Sequence, residues 1–413
     1  MRVATQASFV RTMAGSDAMR RQNLGALLRR VHVAGSVSRA ALTRDLGLTR
    51  TTVGVLVGEL IRRGLLIEAP GEAPGTPGRP SLVVRARPDR YVALAAEIAV
   101  DSLSVATVGV GGQVLDHVRV TRTRRRVAPR RIIDDLAALL LAQAEKAGDA
   151  LIVGCGVAFY GIVRRPDGFV HLAPNLHWRD VPFKAELSEA LGGRFPVVVG
   201  NDADLGGLAE YIRGAGHGAS TLLYISSEVG IGGGLVLDGR PFGGAGGYAG
   251  EIGHIMVNPD GIACRCGSRG CWETEVGELA LLRHAGRSTA GNRRRALAAL
   301  LSTAAAGEPT ARNAVEEVGR WFGLGLAGLL NILNPDRVVV GGLLADVHPL
   351  VEDIVHETLR TRALAPTREM AQVVPSALGG EAALLGAAEL ALMPLLDDPA
   401  GVVRESERAG ATA

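Results

Sequence analysis

Between Gly250 and Glu273 the chain sets one imidazole and three thiols in a stretch with few apolar residues of its own. His254 is followed by nine residues, Cys264, one residue, Cys266, four residues and Cys271, with Trp272 and Glu273 next. One imidazole and three thiolates form the closed tetrahedral set that holds structural zinc, and a filled shell leaves no position for a catalytic water. Metal binding would then supply folding energy to a loop that lacks a core and carries Glu251 and Glu273. The Cys-x-Cys spacing, unlike Cys-x-x-Cys, does not suit thiol–disulfide chemistry. The fourth cysteine, Cys155, lies in an apolar run and reads as a buried free thiol.

A chain of 413 residues exceeds what one core usually serves, so two or three domains are expected. Its charge is unevenly spread. Residues 1–90 hold 15 Arg and no Lys against 6 acidic residues, a net of +9, which leaves −6 for the rest of a chain whose total is +3. A basic head suggests a polyanion partner, and an acidic body would be kept off that polyanion. No charge-free run of 18 apolar residues occurs, and the first twenty residues lack the continuous apolar stretch of a signal peptide. The expectation is a cytoplasmic protein with no membrane partner.

From Arg21 to Leu66 apolar residues follow a helical period in three bursts. Leu24, Leu27, Leu28 and Val31 form the first, Ser38 reads as the N-cap of the second, and Thr49 as the N-cap of the third. Gly47 breaks the second from the third, which is the sequence form of a helix-turn-helix. The third helix would enter a major groove, with Thr49, Arg50, Thr51 and Thr52 facing double-stranded DNA and Arg39 beside them. Gly64–Glu68 and Ser81–Val84 read as two strands of a wing. Arg79 sits at its Gly- and Pro-rich tip, where a guanidinium suits a narrow minor groove.

Beyond Tyr91 strands and helices alternate. Strands are expected at 91–98, 104–110, 114–120, 151–159, 221–226, 233–237 and 336–340, with helices at 131–146 and 313–333. Two α/β lobes with a cleft between them follow from this pattern.

Gly250-Glu251-Ile252-Gly253-His254, followed by Cys264-Arg-Cys-Gly-Ser-Arg-Gly-Cys-Trp-Glu273, resembles the signature of the ROK family of repressors and sugar kinases. The resemblance implies an N-terminal winged helix-turn-helix (α+β) followed by an α/β actin-like, sugar-kinase-like two-lobed domain. The expected organisation is a flexible segment over 1–20, the winged head over 21–87, one lobe over 91–200 and a second lobe with the zinc loop over 201–378. A helix over 379–395 would return to the first lobe, and 396–413 would form a flexible tail. The resemblance also implies zinc at His254, Cys264, Cys266 and Cys271, and sugar contacts at Asn175, Asn201, Asp202, Glu251, His254 and Glu273. Carboxylates and amides suit vicinal hydroxyls, because each offers paired acceptors or donors.

The family's kinases open the body with Asp-x-Gly-Gly-Thr, whose small residues admit ATP phosphates. Here Glu97-Ile98-Ala99-Val100-Asp101 stands in that place, adding bulk and negative charge. The Gly-rich turn Val229–Gly234 is intact but follows Ser226-Ser227-Glu228, and a tight strand connection needs glycine in any case. Asp202 matches the kinases' catalytic base and reads here as vestigial.

The reading is therefore a sugar-responsive transcriptional regulator, a repressor of carbohydrate-metabolism genes, with structural Zn2+ and no turnover. It would bind a double-stranded operator and a sugar or sugar-derivative effector as a homodimer or higher homo-oligomer. The alternative is an ATP-dependent hexose kinase with a fused DNA-binding head.

Overall fold

The computed structural model describes residues 16–70, 82–122, 127–227, 230–289 and 293–403. Arg79 and the wing tip, Glu228 and Val229 of the second Gly-rich turn, and the end of the expected tail lie outside the described residues. The chain divides into two compact units. Met1–Tyr91, Gly109–Gly111 and Leu392–Ala413 make the first, and Val92–Val108 with Gly112–Ala391 the second.

The first unit starts with α1 (Ser16–Ala34), which buries Leu24, Leu27, Leu28 and Val31 on one face. Of the expected flexible segment over 1–20, residues 16–20 are instead the start of this helix, and 1–15 lie outside the described residues. Arg20 lies outside the apolar stripe, and the Glu59 carboxylate of the third helix holds it at 2.5 Å. After β1 (Ser36–Ser38) comes α2 (Arg39–Leu46), capped by Ser38 Oγ, which accepts from the Ala41 N–H at 3.1 Å. Gly47 at φ 65 ends α2 in the left-handed region that a side chain would strain.

Thr49 caps α3 (Arg50–Arg62), accepting the Thr52 N–H at 3.2 Å, and Val53, Leu56, Val57 and Leu60 face inward. Strands β2 (Leu66–Pro70) and β3 (Leu82–Ala86) pair antiparallel, with Leu66 opposite Ala86. The first wing strand starts two residues later than expected. Leu65 is still donating its N–H to Leu60 O as part of the α3 terminus. The sheet order is β1-β3-β2, because Val37 pairs with Val84.

Two five-stranded sheets of the second unit follow the same path. In the first lobe β4 (Tyr91–Ile98), β5 (Ser102–Gly109) and β6 (Val114–Thr121) come first, then α4 (Pro129–Lys146) and β7 (Leu151–Phe159). A small antiparallel sheet of β8 (Ile162–Arg164), β9 (Phe169–Ala173) and β10 (Trp178–Val181) is followed by α5 (Phe183–Ala190) and β11 (Val197–Asn201). In the second lobe α6 (Asp202–Arg213) precedes β12 (Thr221–Ser227), β13 (Ile231–Leu237) and β14 (Arg240–Pro241). Short α7 (Trp272–Val276) and α8 (Glu278–His284) lead to α9 (Arg293–Ala305), the long α10 (Pro309–Leu333) and β15 (Arg337–Gly342). The chain ends through α11 (Leu343–Arg362), α12 (Ala365–Met370), β16 (Gln372–Pro375) and α13 (Ala382–Asp397).

Among the described residues the sheet orders are β6-β5-β4-β7-β11 and β14-β13-β12-β15-β16. Each begins as an antiparallel meander and ends in parallel strands, with β7 parallel to β11 and β12 parallel to β15. Parallel pairing needs both faces covered, which explains the continuous apolar runs at 151–159 and 337–342.

Helix α13 packs Leu384, Ala387 and Ala388 against Ala95, Ala106 and Ala158 of the first lobe's sheet. Together with the 3₁₀ turn before it, the helical stretch Gly379–Asp397 is long and apolar enough to span a membrane by length and composition, but about two thirds of it is buried inside the protein, as for a core helix. Of the expected flexible tail over 396–413, residues 396–403 are instead ordered against the first unit, and 404–413 lie outside the described residues. Leu392, Leu395, Leu396, Ala400 and Val403 are buried, and a Cβ on Gly25 would stand 2.7 Å from the Asp397 carbonyl oxygen. Arg29 pairs with Asp397 in the same first unit. Apolar residues continuing past 396 at helical spacing cause this order.

Candidate functional site

The loop after β13 is laid onto the sheet edge by close backbone approach. A Cβ on Gly253 would stand 2.1 Å from Ile231 O, so the Glu251–His254 turn can lie there only with glycine at that position. Ile252–His254 forms one 3₁₀ turn, and the loop returns through bridges Met256–Cys271 and Ala263–Arg269. Cys271 then leads into α7, which carries Glu273 and buries Trp272 against Phe322 with ring centroids 5.8 Å apart. Trp272 Nε1 donates to Trp321 O at 2.9 Å, which anchors the far end of the loop.

The ligand atoms of His254, Cys264, Cys266 and Cys271 all lie within 4.8 Å of one another. Cys264 Sγ is 3.8 Å from His254 Nδ1, and Cys266 Sγ is 3.7 Å from Cys271 Sγ. Zinc–sulfur bonds of about 2.3 Å at tetrahedral angles put ligands roughly 3.8 Å apart, so the set fits the metal. Burial works to raise all three thiols, and at Cys266 it is outweighed by the Ser268 N–H together with hydrogen bonds from Cys264 and Cys271. Cys155 is apart from the cluster and fully buried, with its thiol pushed up to about 12 by desolvation.

Asn175, Asn201, Asp202, Glu251, His254 and Glu273 line one cavity of about 340 Å³ between the lobes, together with Tyr160, Arg265 and Arg283. Glu251 is held above the usual carboxylate range by burial, with His254 opposing and Asp204 and Glu273 adding to the shift. His254 Nε2 is 3.8 Å from Glu251 and Nδ1 is 3.8 Å from Glu273, so the imidazole stands between metal set and cavity. Glu273 Oε1 also lies 2.9 Å from Cys264 Sγ, at the junction of the two sites.

Not every expected residue has free donors. Asn201 Oδ1 accepts the N–H groups of Ala203 and Asp204, and Nδ2 donates to Gly161 O at 3.0 Å. Asn201 is thus the cap of α6 that places Asp202 at the cavity wall. Asn175 Oδ1 accepts from Arg265 Nη1 at 2.7 Å, which leaves its amide as a donor. Arg265 was not singled out in the sequence, although it stands between Cys264 and Cys266. The Arg165–Asp204 pair and Tyr160 were likewise missed.

At the two segments that the family resemblance matched to the kinases' phosphate loops, side chains hydrogen-bond within the protein. Tyr160 Oη donates to Glu97 Oε1 at 3.0 Å, and Glu97 is 6% exposed. Ser227 Oγ donates to Gly341 O and accepts the Leu344 N–H at 2.7 Å, occupying an amide at the start of α11. A Cβ on Gly230 would stand 2.4 Å from Glu273 Oε2, so this glycine gives room to a carboxylate of the cavity.

In the first unit Arg50 and Thr51 are exposed at the start of α3. Thr49 and Thr52 hydrogen-bond each other at 2.9 Å, and Arg39 Nε is 2.6 Å from Glu68 Oε1. The N-terminal face of α3 therefore presents Arg50 and Thr51 outward, while Thr49 and Arg39 brace it.

The ROK family model matches residues 93–393. The xylose repressor of Bacillus subtilis (strain 168) is 26% identical over 380 residues, 92% of this chain and 97% of the relative. A glucokinase of Streptomyces coelicolor is 33% identical over 314 residues, 72% of this chain and 96% of its own length. A crystal structure of a ROK family transcriptional regulator, described as a homolog of the E. coli MLC protein, superposes with a TM-score of 0.73 at 23% identity. The match covers 94% of this chain and 98% of that one, and shows the shared fold of winged head and two-lobed body. The match over residues 93–393 makes the chain a member of the ROK family.

Proposed function

We propose that the chain is a sugar-responsive transcriptional repressor of carbohydrate-metabolism genes whose body binds its effector without phosphorylating it. The carrying observation is one cavity lined by all six expected sugar residues, in a chain where Tyr160 closes off Glu97 and Ser227 takes an α11 amide. Likeness to a xylose repressor over 92% of the chain supports the same reading, head included. The effector is a sugar or sugar derivative, and the operator is double-stranded DNA read by α3 and the wing.

A homodimer with two heads on paired half-sites is the geometry we assign, in the cytoplasm. Effector binding in the cleft favours one arrangement of the lobes and so biases the heads. Zinc on His254, Cys264, Cys266 and Cys271 would be structural, holding Glu251 and Glu273 in place.

A second reading, an active hexose kinase, is favoured by Asp202 at the cavity wall and by the 33% identity to a glucokinase. One experiment separates the two. Anisotropy of a labelled duplex from upstream of the gene is measured at two salt concentrations with hexoses, pentoses and N-acetylated sugars, beside an ADP-release assay. Salt-sensitive binding shifted by one sugar, without ADP release, is the expected result. Sugar-dependent ADP release at enzymatic rates would establish the kinase.

A further inference from the structure

A second cavity, of about 640 Å³, shares Leu172, Pro174, Asn175 and Arg265 with the sugar cavity. Its remaining polar lining is His177, Arg179 and Arg293. Three guanidinium groups thus line one cavity, and among the described residues no carboxylate does. Among the described residues Arg179 and Arg293 have no ion-pair partner, and Arg265 donates to the neutral Asn175 amide.

The adjoining cavity has the opposite character, with Asp202, Glu251 and Glu273 in its wall. Guanidinium groups gathered without counter-charge repel one another, and a cleft lined by one sign concentrates the opposite ion. Each guanidinium offers a planar fork suited to carboxylate or phosphate oxygens.

Two of the three cations are also placed by structure. Arg265 sits between Cys264 and Cys266 in a tight turn closed by hydrogen bonds from the Cys264 N–H to Ser268 O and from the Gly267 N–H to Cys264 O. Arg179 follows Trp178, which is 3% exposed with Nε1 donating to Val127 O. His177 and Asp180, on either side of them, hold left-handed backbones at φ 57 and 53, which side chains adopt only at a cost.

Resting on the sugar-binding reading, we propose that the effector is an anionic sugar: its hydroxyls meet Asp202, Glu251 and Glu273, and its phosphate or carboxylate group meets Arg179, Arg265 and Arg293. The two cavities together form a polar axis, acid at one end and cationic at the other, which also sets the ligand's direction.

The test is calorimetric titration of the full-length, zinc-replete protein with glucose, galactose, mannose and xylose, each beside its phosphate ester and its sugar acid. Inorganic phosphate serves as a further probe. The expected result is one anionic member binding at least tenfold tighter than its neutral parent, with the excess falling as salt rises. Whether ester or acid wins identifies the source of the charge. Arg179→Gln and Arg293→Gln should each remove most of that preference and leave affinity for the neutral parent within twofold. Neutral parents binding as tightly as every anionic partner, or unchanged preference in both variants, would overturn the inference and leave the sugar reading standing. Absence of binding by every sugar in the panel would overturn the sugar reading, and this inference with it.

Discussion

Arg165 Nη2 stands 2.8 Å from the Asp204 carboxylate, an acid only 3% exposed. Arg165 follows β8 in the first lobe, and Asp204 lies in the first turn of α6 in the second. Arg165 Nη1 also donates to Pro241 O at 3.1 Å, so one guanidinium ties the hairpin of one lobe to two elements of the other. Burial pushes the Asp204 carboxyl up to about 6, with Arg165 opposing in part.

This pair predicts a pH-dependent stability. Below pH 3.8, the ordinary value, Asp204 is neutral folded and unfolded and costs nothing. As pH rises from there to about 6 the unfolded chain ionises first, and the folded state loses about 3 kcal/mol relative to it, a loss retained above that range. Urea unfolding of wild type and Asp204→Asn across pH 4 to 7 should show that slope in their difference. A flat difference would mean that Arg165 fully compensates the burial.

Removing one metal ligand should act on the whole loop. Cys266→Ser is expected to take zinc from one per chain to near zero and to destabilise the body by on the order of 4 kcal/mol, the class to which metal loss belongs. Metal content by mass spectrometry and a denaturant midpoint check this together. Unchanged stoichiometry would remove the site.

In the sugar cavity, Glu251→Ala and Asp202→Ala should each weaken effector binding by about tenfold to a hundredfold, the loss of a charged hydrogen bond, while operator affinity stays within twofold. Parallel loss of operator binding would indicate misfolding. Asn201→Ala is predicted to behave differently. It uncaps α6, costing about 1 kcal/mol of stability along with affinity.

On the head, Arg50→Ala should weaken binding to all duplexes similarly and reduce the slope of log K against log salt by about one, as expected of a phosphate contact. Thr49→Ala should instead cost about 1 kcal/mol of head stability through the lost cap. Anisotropy at several salt concentrations beside thermal unfolding separates the two effects.

The parts of the fold written in local chemistry were readable. Ser38, Gly47 and Thr49 punctuate the head in sequence because a cap needs only the next three residues. The metal set was legible for the same reason, three of its members falling within eight residues. What was not legible depends on distance along the chain. β1 is too short to show alternation and exists only because β3 pairs with it. Arg165 and Asp204 each look like ordinary surface charges until the lobes bring them together. Arg265 points at Asn175, 90 residues earlier. Asn201 had the right identity for a sugar contact, but its proximity to the α6 amides decides its work locally.

Helix α13 has a consequence for how the protein is made. Its first turns belong to the body and its last to the unit that carries the winged head. A ribosome delivers α1 long before Leu395, Leu396 and Val403, yet these close the same unit. During synthesis the head must wait, part of its apolar surface uncovered, until more than three hundred further residues have emerged. A message truncated late would therefore yield a chain with the cavity between the lobes in place and an unfinished head, so that the head is completed only when the body is already there.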